Sequence, residues 1–166
     1  MKLNSTAGLP VSIARETPDQ LEVIALIAEL DAYQDTLYPA EARYALDLEA
    51  LKRPNVTFVV ARNAVGAAIG CGAVVADEQG YGELKRMYVR PDSRGAGVAR
   101  QIISELERSA AEAGCTELLL ETGPYQPEAL LFYGRQGYLR RGAFGAYPDH
   151  PLSVFMGKPL TGSVSS

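Results

Sequence analysis

The chain has few of the residues that build metal centres and disulfide frameworks. Its 166 residues include two cysteines, one histidine and no tryptophan. Two cysteines are too few for a disulfide scaffold or a structural zinc site, so no metal is expected, and the reducing cytoplasm is the expected location. The longest run of small and apolar residues, 67–76, is far shorter than the ~20 residues of a membrane-spanning helix. The N-terminus lacks an apolar signal segment. No membrane association is expected.

The chain also lacks an excess of positive charge. Sixteen Lys and Arg residues stand against 20 Asp and Glu, which gives a net charge of −4 and a pI near 5.1. This balance argues against a nucleic-acid partner. The segment 85–100 is different, because it contains one acid, Asp92, and five basic residues: Lys85, Arg86, Arg90, Arg94 and Arg100. A basic island in an acidic chain indicates a small anionic ligand; a solvated charged face is the alternative.

Length and composition indicate one globular domain. A chain of 166 residues, 47% hydrophobic and 22% charged, is ordinary for a soluble protein of one domain. We expect that domain to span residues 11–160. The remaining residues, 1–10 and 161–166, are rich in Ser, Thr and Gly, and we expect them to be flexible.

Hydrophobic periodicity predicts an α/β fold with a mixed sheet. Thr17 and Pro18 are typical of a helix N-cap and first helical position, and Pro54 would end a second helix. The connections between the three middle strands are short, so those strands are antiparallel neighbours. The predicted order is a strand at 11–15, helices from 17 and over 39–51, strands at 56–62, 67–76 and 82–89, a helix after 91, a strand at 118–120, a helix at 127–135, and strands near 138–144 and 152–156.

The strand at 82–89 runs into a glycine-rich turn that opens an amphipathic helix. Free backbone N–H groups at a helix N-terminus bind phosphate, and Gly95 and Gly97 allow the main chain to approach it closely. A Walker A loop would need Gly-Lys-Ser/Thr, which is absent. A dinucleotide fingerprint would need a third glycine where Arg100 stands. The turn therefore predicts a phosphate site of another kind.

Two motifs resemble those of a known family. Arg94-x-x-Gly97-x-Ala99 matches the R/Q-x-x-G-x-G/A motif of the GNAT superfamily of acyl-CoA N-acyltransferases, and Ala129-x-x-x-Tyr133-x-x-x-Gly137-Tyr138 resembles its A-x-x-x-Y-x-x-x-G-F/Y signature. The likeness extends over residues 11–160. It implies an antiparallel meander leading into a parallel βαβ pair that splays at the cofactor, with helices on both faces.

The resemblance implies acetyl-CoA or coenzyme A as cosubstrate. In such proteins the pyrophosphate lies on the glycine turn, and the pantetheine arm pairs with the preceding strand, where a backbone N–H also donates to the thioester carbonyl. Gln126 stands where the family often has Asn. The residues expected to bind the cofactor are Met87, Tyr88, Val89, Arg94, Gly95, Ala96, Gly97, Val98, Ala99 and Gln126.

Two residues are candidates for acid–base catalysis. Tyr133 matches the family tyrosine beside the sulfur and is the candidate general acid, with a core aromatic as the alternative. An amine near pKa 10.4 is almost fully protonated at pH 7, so a base is needed. Glu83 is the candidate base, because it precedes the glycine turn on the strand where histone-acetylating members of the family carry their catalytic glutamate. The alternatives are an ordered water, or a structural pair of Glu83 with Lys85 or Arg86.

Other residues have both a functional and a structural interpretation. His150 lies in a loop that borders the acceptor site in the family, although a lone loop histidine is usually solvated. Cys71 and Cys115 read as packing residues. The segment after the first helix resembles the family's acceptor-lining segment, an ordinary amphipathic connection being the alternative; its residues are Tyr33, Asp35, Tyr38 and Glu41.

The sequence therefore predicts an N-acetyltransferase that moves the acetyl group of acetyl-CoA directly to a primary amine in a ternary complex. The acceptor would be a small molecule or a peptide, and the protein a monomer or homodimer. One alternative is a non-catalytic acyl-CoA sensor of the same fold. Another is an acyltransferase that uses a different acyl group or a hydroxyl acceptor.

Overall fold

A computed structural model describes residues 10–160, and the two ends predicted to be flexible lie outside this range except for Pro10. Seven strands form one mixed sheet in the order β1-β2-β3-β4-β5-β7-β6. The strands are β1 Ser12–Arg15, β2 Val56–Arg62, β3 Ala68–Ala76, β4 Tyr81–Val89, β5 Glu117–Thr122, β6 Leu139–Arg141 and β7 Val154–Pro159. The helices are α1 Leu21–Asp35, α2 Leu48–Leu51, α3 Val98–Glu112 and α4 Pro127–Arg135.

The predicted meander and parallel pair are confirmed. Strands β1 to β4 pair antiparallel in chain order, and β4 pairs parallel with β5 across α3. The parallel pairing is short: Tyr81–Glu83 lies against Glu117–Leu119, and no further β4 residue pairs with β5 among the described residues. The two strands therefore diverge from Leu84 onward. Strand β7 then pairs antiparallel with β5 along its whole length.

A bulge lies in β4 immediately after the divergence begins. Cys71 pairs with Tyr88 and Ala73 with Lys85, so two residues of β4 oppose one of β3. Arg86 takes a positive φ of 58°, which is uncommon for a non-glycine residue. The extra residue turns Lys85 and Arg86 to the same face, where their side chains donate to the backbone carbonyls of Tyr44 and Leu46.

Helices cover both faces of the sheet. The apolar stripe of α3 includes Ile102, Ile103 and Leu106, each no more than 1% exposed, and it packs on one face together with Tyr133 of α4. On the other face α1 buries Val23, Leu26 and Leu30 against β2, β3 and β4. Burial of a side chain of this size contributes about 1.5–3 kcal/mol. The sheet therefore has an apolar core on each face, and the diverging strands β4 and β5 lie between the two cores.

Two predicted helix boundaries are wrong. Helix α1 begins at Leu21 with Gln20 as N-cap, because the Thr17 hydroxyl accepts from the Asp19 N–H in a tight turn instead of capping a helix. The helix predicted over 39–51 is divided into a 3-10 turn at Ala40–Ala42, an extended stretch and α2. The Asp47 carboxylate accepts from the Ala50 N–H at 2.8 Å and so starts a new helix there.

Candidate active site

A groove opens where β4 leaves β5. From Leu84 to Val89 one edge of β4 has no partner strand among the described residues. The floor of the groove is Met87, Tyr88 and Val89, and its opposite wall is α4 with its N-cap, including Tyr133 and Gln126. An unpaired strand edge offers N–H and C=O groups to an extended ligand. The divergence therefore provides a site for a chain-like molecule with amide groups.

The glycine turn lies at one end of this groove. Gly95 and Gly97 have φ values of 88° and 81°, a left-handed conformation that favours glycine, and Gly97 is the N-cap of α3. In the described part of the chain, none of the residues 95–100 donates its N–H to a backbone carbonyl. These groups and the positive end of the helix dipole form an anion site.

Arg94 supplies a fixed cation beside the turn. Its Nε donates to the Val89 carbonyl at 2.8 Å, and its guanidinium lies 5.6 Å from the centre of the Tyr88 ring. The side chain also lines the groove. The bond to Val89 holds the guanidinium close to the strand edge, so that its remaining N–H groups can reach an anion.

The residues predicted to bind coenzyme A lie together. Six of them line the groove, namely Met87, Tyr88, Val89, Arg94, Ala99 and Gln126. Gly95, Ala96 and Gly97 form the turn, and the Val98 side chain is buried in the core while its N–H belongs to the first turn of α3. The assignment of cofactor contacts to these residues stays a prediction.

Tyr133 lies at the inner end of the groove. Its ring is 9% exposed and packs edge-on against Phe132 and Tyr138, at centroid distances of 5.4 and 5.9 Å. No hydrogen bond in the described structure uses its hydroxyl, and burial raises its pKa above the ordinary value. Tyr133 is therefore protonated at neutral pH, with an O–H that is free to donate.

A second cavity adjoins the groove at Met87, Gln126 and Tyr133. Its other walls come from α1, the segment after α1, β4 and β5, including Leu30, Gln34, Tyr38, Arg43, Tyr44, Lys85, Arg86, Glu121 and Leu152. Of the residues expected to line an acceptor site, Tyr38 lines this cavity and Tyr33 lines the groove. Asp35 instead pairs with Arg43 at the surface, and Glu41 lines neither space.

Glu83 forms a structural cluster on β4. Its Oε2 accepts from the Tyr147 hydroxyl and lies 3.2 Å from Lys85 Nζ. Lys85 also donates to the Tyr147 hydroxyl at 2.5 Å. Burial, followed by the bond to Glu83, raises the pKa of Tyr147. The pairing of Glu83 with Lys85 foreseen from sequence is present, whereas Arg86 pairs with Asp31 at 2.6 Å. Glu83 is absent from the described lining of either space.

Sequence reasoning missed Glu121, which lines the second cavity near the carboxyl end of β5. Its Oε2 accepts from the Ser153 hydroxyl at 2.9 Å. Burial raises the pKa of its carboxyl to about 7, against the opposite effects of Ser153 and Lys85. The available signal was a carboxylate directly after the apolar run Leu118-Leu119-Leu120, at the end of a buried strand beside the splay.

The remaining candidates lie outside the site. His150 is exposed, and its Nδ1 accepts from the Leu152 N–H at 3.0 Å. Cys71 and Cys115 are buried as predicted, and burial raises the pKa of the Cys71 thiol to about 12. Between residues 10 and 160, no three His, Cys, Asp or Glu side chains are placed to hold a metal ion.

Comparison with known protein families identifies the family of this chain. The model of the acetyltransferase (GNAT) family matches residues 21–138, more than half of the chain. The protein is a member of the GNAT acetyltransferase family. The resemblance predicted from the two motifs is confirmed, and the mixed sheet with its parallel pair agrees with it.

Individual relatives of this GNAT protein support the same membership. It is 50% identical over 151 residues to a protein of Azospirillum brasilense named IAA acetyltransferase. The alignment covers 90% of this chain and 98% of that relative. A solved structure of a Klebsiella pneumoniae protein assigned to the acyl-CoA N-acyltransferases has 43% identity and a TM-score of 0.81, over 90% of this chain and 97% of that one.

A more distant structure shows likeness of fold. PaiA N-acetyltransferase from Thermoplasma acidophilum, solved in complex with coenzyme A, has a TM-score of 0.70 at 17% identity, over 91% of this GNAT chain and 99% of that one. None of the helices within residues 10–160 is both long enough and apolar enough to cross a membrane.

Proposed function

We propose that this GNAT protein is an acetyl-CoA-dependent N-acetyltransferase, folded as one domain over residues 11–160, that moves the acetyl group directly to a primary amine in a ternary complex. The observation that carries the proposal is the groove between β4 and α4. It joins a turn with unused N–H groups, an unpaired strand edge and a protonated phenol. These three features suit, in order, the pyrophosphate, the pantetheine arm and the sulfur of one thioester.

The groups that line the groove suit a coenzyme A thioester in charge and in hydrogen bonding. Arg94 and the N–H groups of residues 95–100 would hold the pyrophosphate, since a helix N-terminus and a guanidinium both favour phosphate oxygens. The edge of Met87–Val89 would pair with the amides of the pantetheine arm. Acetyl-CoA supplies the activated acetyl group and a thiol leaving group. A β4 N–H donating to the thioester carbonyl would stabilise the oxyanion formed on attack.

Tyr133 suits the role of general acid. Expulsion of a thiolate with a pKa of about 8.5 is easier when a neighbouring group protonates the sulfur. The Tyr133 hydroxyl is buried and protonated, and it lies where the groove meets the second cavity. An amine that entered through the second cavity would therefore meet the thioester at this phenol. Glu83 stays the sequence-based candidate for the base, although its carboxylate is bonded to Tyr147 and Lys85.

The second cavity is proposed as the acceptor site, for a small-molecule or peptide amine. The protein would work as a monomer or homodimer. The Azospirillum relative carries the name IAA acetyltransferase, so IAA belongs in the acceptor panel beside polyamines, amino acids, aminoglycosides and lysine peptides. A panel of this breadth tests the amine requirement as well as the identity of the acceptor.

The deciding experiment is turnover of acetyl-CoA with that panel, followed by thiol release with a chromogenic disulfide. Both cysteines of the chain are buried, so the background reaction of the folded protein is expected to be small. Release that depends on an amine, together with a product heavier by one acetyl group, supports the proposal. Thermal stabilisation by coenzyme A without turnover would indicate the sensor. Faster thiol release from longer acyl thioesters, or acetylation of a hydroxyl, would identify the protein as an acyltransferase of another specificity.

A further inference from the structure

We infer that Glu121 is the general base that takes the proton from the acceptor ammonium before it attacks the thioester. The inference builds on the proposed amine acetylation and assigns the proton-accepting step to a carboxylate that the sequence motifs do not mark. It stands on the position of Glu121 in the cavity and on the bonding of the charged groups around it.

The position of Glu121 is suited to an amine approaching Tyr133. Both side chains line the second cavity, Glu121 from β5 and Tyr133 from α4. Met87 and Gln126 line both spaces and mark where the cavity meets the groove. Ser153, directly before β7, donates to one carboxylate oxygen, Oε2, at 2.9 Å. The other oxygen, Oε1, accepts no hydrogen bond within the described structure.

The cations that line the cavity are already bonded to protein groups. Lys85 donates to the Tyr44 carbonyl and the Tyr147 hydroxyl and pairs with Glu83. Arg86 donates to Asp31 and to the Leu46 carbonyl, and Arg43 to Asp31 and Asp35. Arg43 Nε has no hydrogen-bond partner but is buried, so among the described lining residues Oε1 of Glu121 is the carboxylate oxygen that is left open to a ligand. A free carboxylate oxygen in a cavity attracts a cation, and the proposed acceptor is an ammonium.

The surroundings of Glu121 also favour proton transfer. The titratable groups that line the cavity with Glu121 are Lys85 and Arg86 on β4, Tyr38, Arg43 and Tyr44 after α1, and Tyr133 on α4. Glu83 and Tyr147 lie next to it through their bonds to Lys85. Burial outweighs the effect of Lys85 and raises the pKa of Glu121 to about 7. An ordinary glutamate, near 4.3, is a much weaker base toward an ammonium near 10.4. A carboxylate near 7 is still about half ionised at neutral pH.

The proposed step balances in atoms and charge. The ammonium gives one proton to Glu121 Oε1, and the neutral nitrogen forms a bond to the thioester carbon. The carbon–sulfur bond then breaks, Tyr133 gives its proton to the departing sulfur, and the nitrogen, which still carries an extra proton, returns one to the Tyr133 oxygen. Glu121 releases its proton to solvent. The products are an amide, a thiol and one proton.

The test is the pH dependence of kcat/KM for wild type and Glu121→Gln, with the best amine found in the panel. The amide is nearly isosteric and its oxygen can still accept from Ser153, so folding should be retained. We expect kcat/KM to fall about 10²–10⁴-fold, and the acidic limb of the wild-type profile near pH 7 to disappear. Glu117→Gln is the matched control, since Glu117 lies on the same strand, is 43% exposed and pairs with Arg141 at 3.8 Å.

Three outcomes would overturn the inference. One is a Glu121→Gln variant that retains the acidic limb. A second is loss of that limb in Glu83→Gln instead, which would return the role to Glu83. A third is a higher KM with unchanged kcat and limb, which would make Glu121 a binding group alone. If wild type acetylates no amine, the proposed function fails first; coenzyme A-dependent stabilisation of Glu121→Gln shows separately that the cofactor groove is intact.

Discussion

The Tyr38 ring lies directly over the α-carbon of Gly123, so that a Cβ added at residue 123 would overlap the Tyr38 hydroxyl oxygen and the adjoining ring carbons. The Tyr38 hydroxyl accepts from the Tyr125 N–H at 3.0 Å, and the two tyrosine rings stack at 5.3 Å. The chain after α1 is thus closed against the loop between β5 and α4, and this closure forms one wall of the proposed acceptor cavity.

We expect Gly123→Ala to displace Tyr38 and open that wall. Overpacking of this kind lowers the free energy of unfolding by about 1–3 kcal/mol, and KM for the amine should rise. Gly142→Ala is the control, since nothing lies within 4 Å of a Cβ there. In Tyr38→Ala the same change at residue 123 should cost little, so a double-mutant cycle by urea unfolding measures the contact. If Gly123→Ala lowers the free energy of unfolding equally with Tyr38 and with Ala at position 38, the predicted contact is absent.

Tyr133→Phe tests the general acid. The ring and its edge-on packing remain, and only an unpaired hydroxyl is lost, so stability and stabilisation by coenzyme A should be close to wild type. We expect kcat to fall about 10²–10⁴-fold, measured under conditions where chemistry limits turnover. Near-native kcat would remove Tyr133 from the mechanism. A large loss of stability would mark it as a core aromatic.

Coenzyme A should raise the melting temperature of the wild type, since the groove exists in the folded protein alone. At 100 times its dissociation constant a ligand adds about 2.7 kcal/mol. Arg94→Glu should abolish this gain in a folded protein, because it places negative charge beside the expected pyrophosphate. Arg94→Gln, which removes the cation without reversing it, should retain part of the gain. Equal stabilisation of all three proteins would place the phosphate site elsewhere.

Gly97→Asp and Gly97→Ala separate charge from backbone strain at the same turn. Both force a side chain into a φ of 81°, and each should lose about 1–2 kcal/mol of stability. The aspartate alone adds negative charge at the N-terminus of α3. Calorimetric titration with coenzyme A should therefore show much weaker binding for Gly97→Asp than for Gly97→Ala. Matching affinities would mean that the N–H groups of the turn do not meet the phosphate.

Stability should depend on pH through Glu121. Its folded-state pKa, about 7, lies above the ordinary value for glutamate, so the folded state favours the protonated form. That contribution is complete below the unfolded-state value and is lost as the pH rises through about 7. Glu121→Gln cannot ionise, so its melting temperature relative to wild type should increase between pH 5 and pH 8. Glu117→Gln should give a flat difference over the same range.

Much of the fold and of the candidate site followed from local patterns. The glycine turn, the stripe of α3 and the position of Tyr133 are each encoded within about a dozen residues, and the structure has them where the sequence predicted. One continuous helix was predicted over 39–51, and the structure divides it. Arg43 in this segment forms ion pairs with Asp31 and Asp35 of α1, and helix propensity takes no account of such contacts.

The sequence analysis missed the Glu121 carboxylate for a related reason. Glu121 becomes a candidate only through its burial and its bond to Ser153, which lies 32 residues later in the chain. Glu83 was favoured because of its place before the glycine turn, yet Tyr147, from a loop 64 residues away, bonds its carboxylate. Contacts between distant segments set the state of both groups, and sequence spacing does not describe them.

The bulge at Arg86 reverses the parity of β4. Side chains alternate along a strand, so one extra residue exchanges the two faces for every position that follows. Before it, Leu84 faces α3; after it, Met87 and Val89 do, while Tyr88 faces α1. Loss of the bulge at full length would bring Tyr88 into the α3 core and turn Val89 toward α1, whereas removal of one residue would restore regular alternation and keep both side chains on their present faces. The orientation of Met87, Tyr88 and Val89 in the groove therefore depends on the bulge that Arg86 forms at a positive φ.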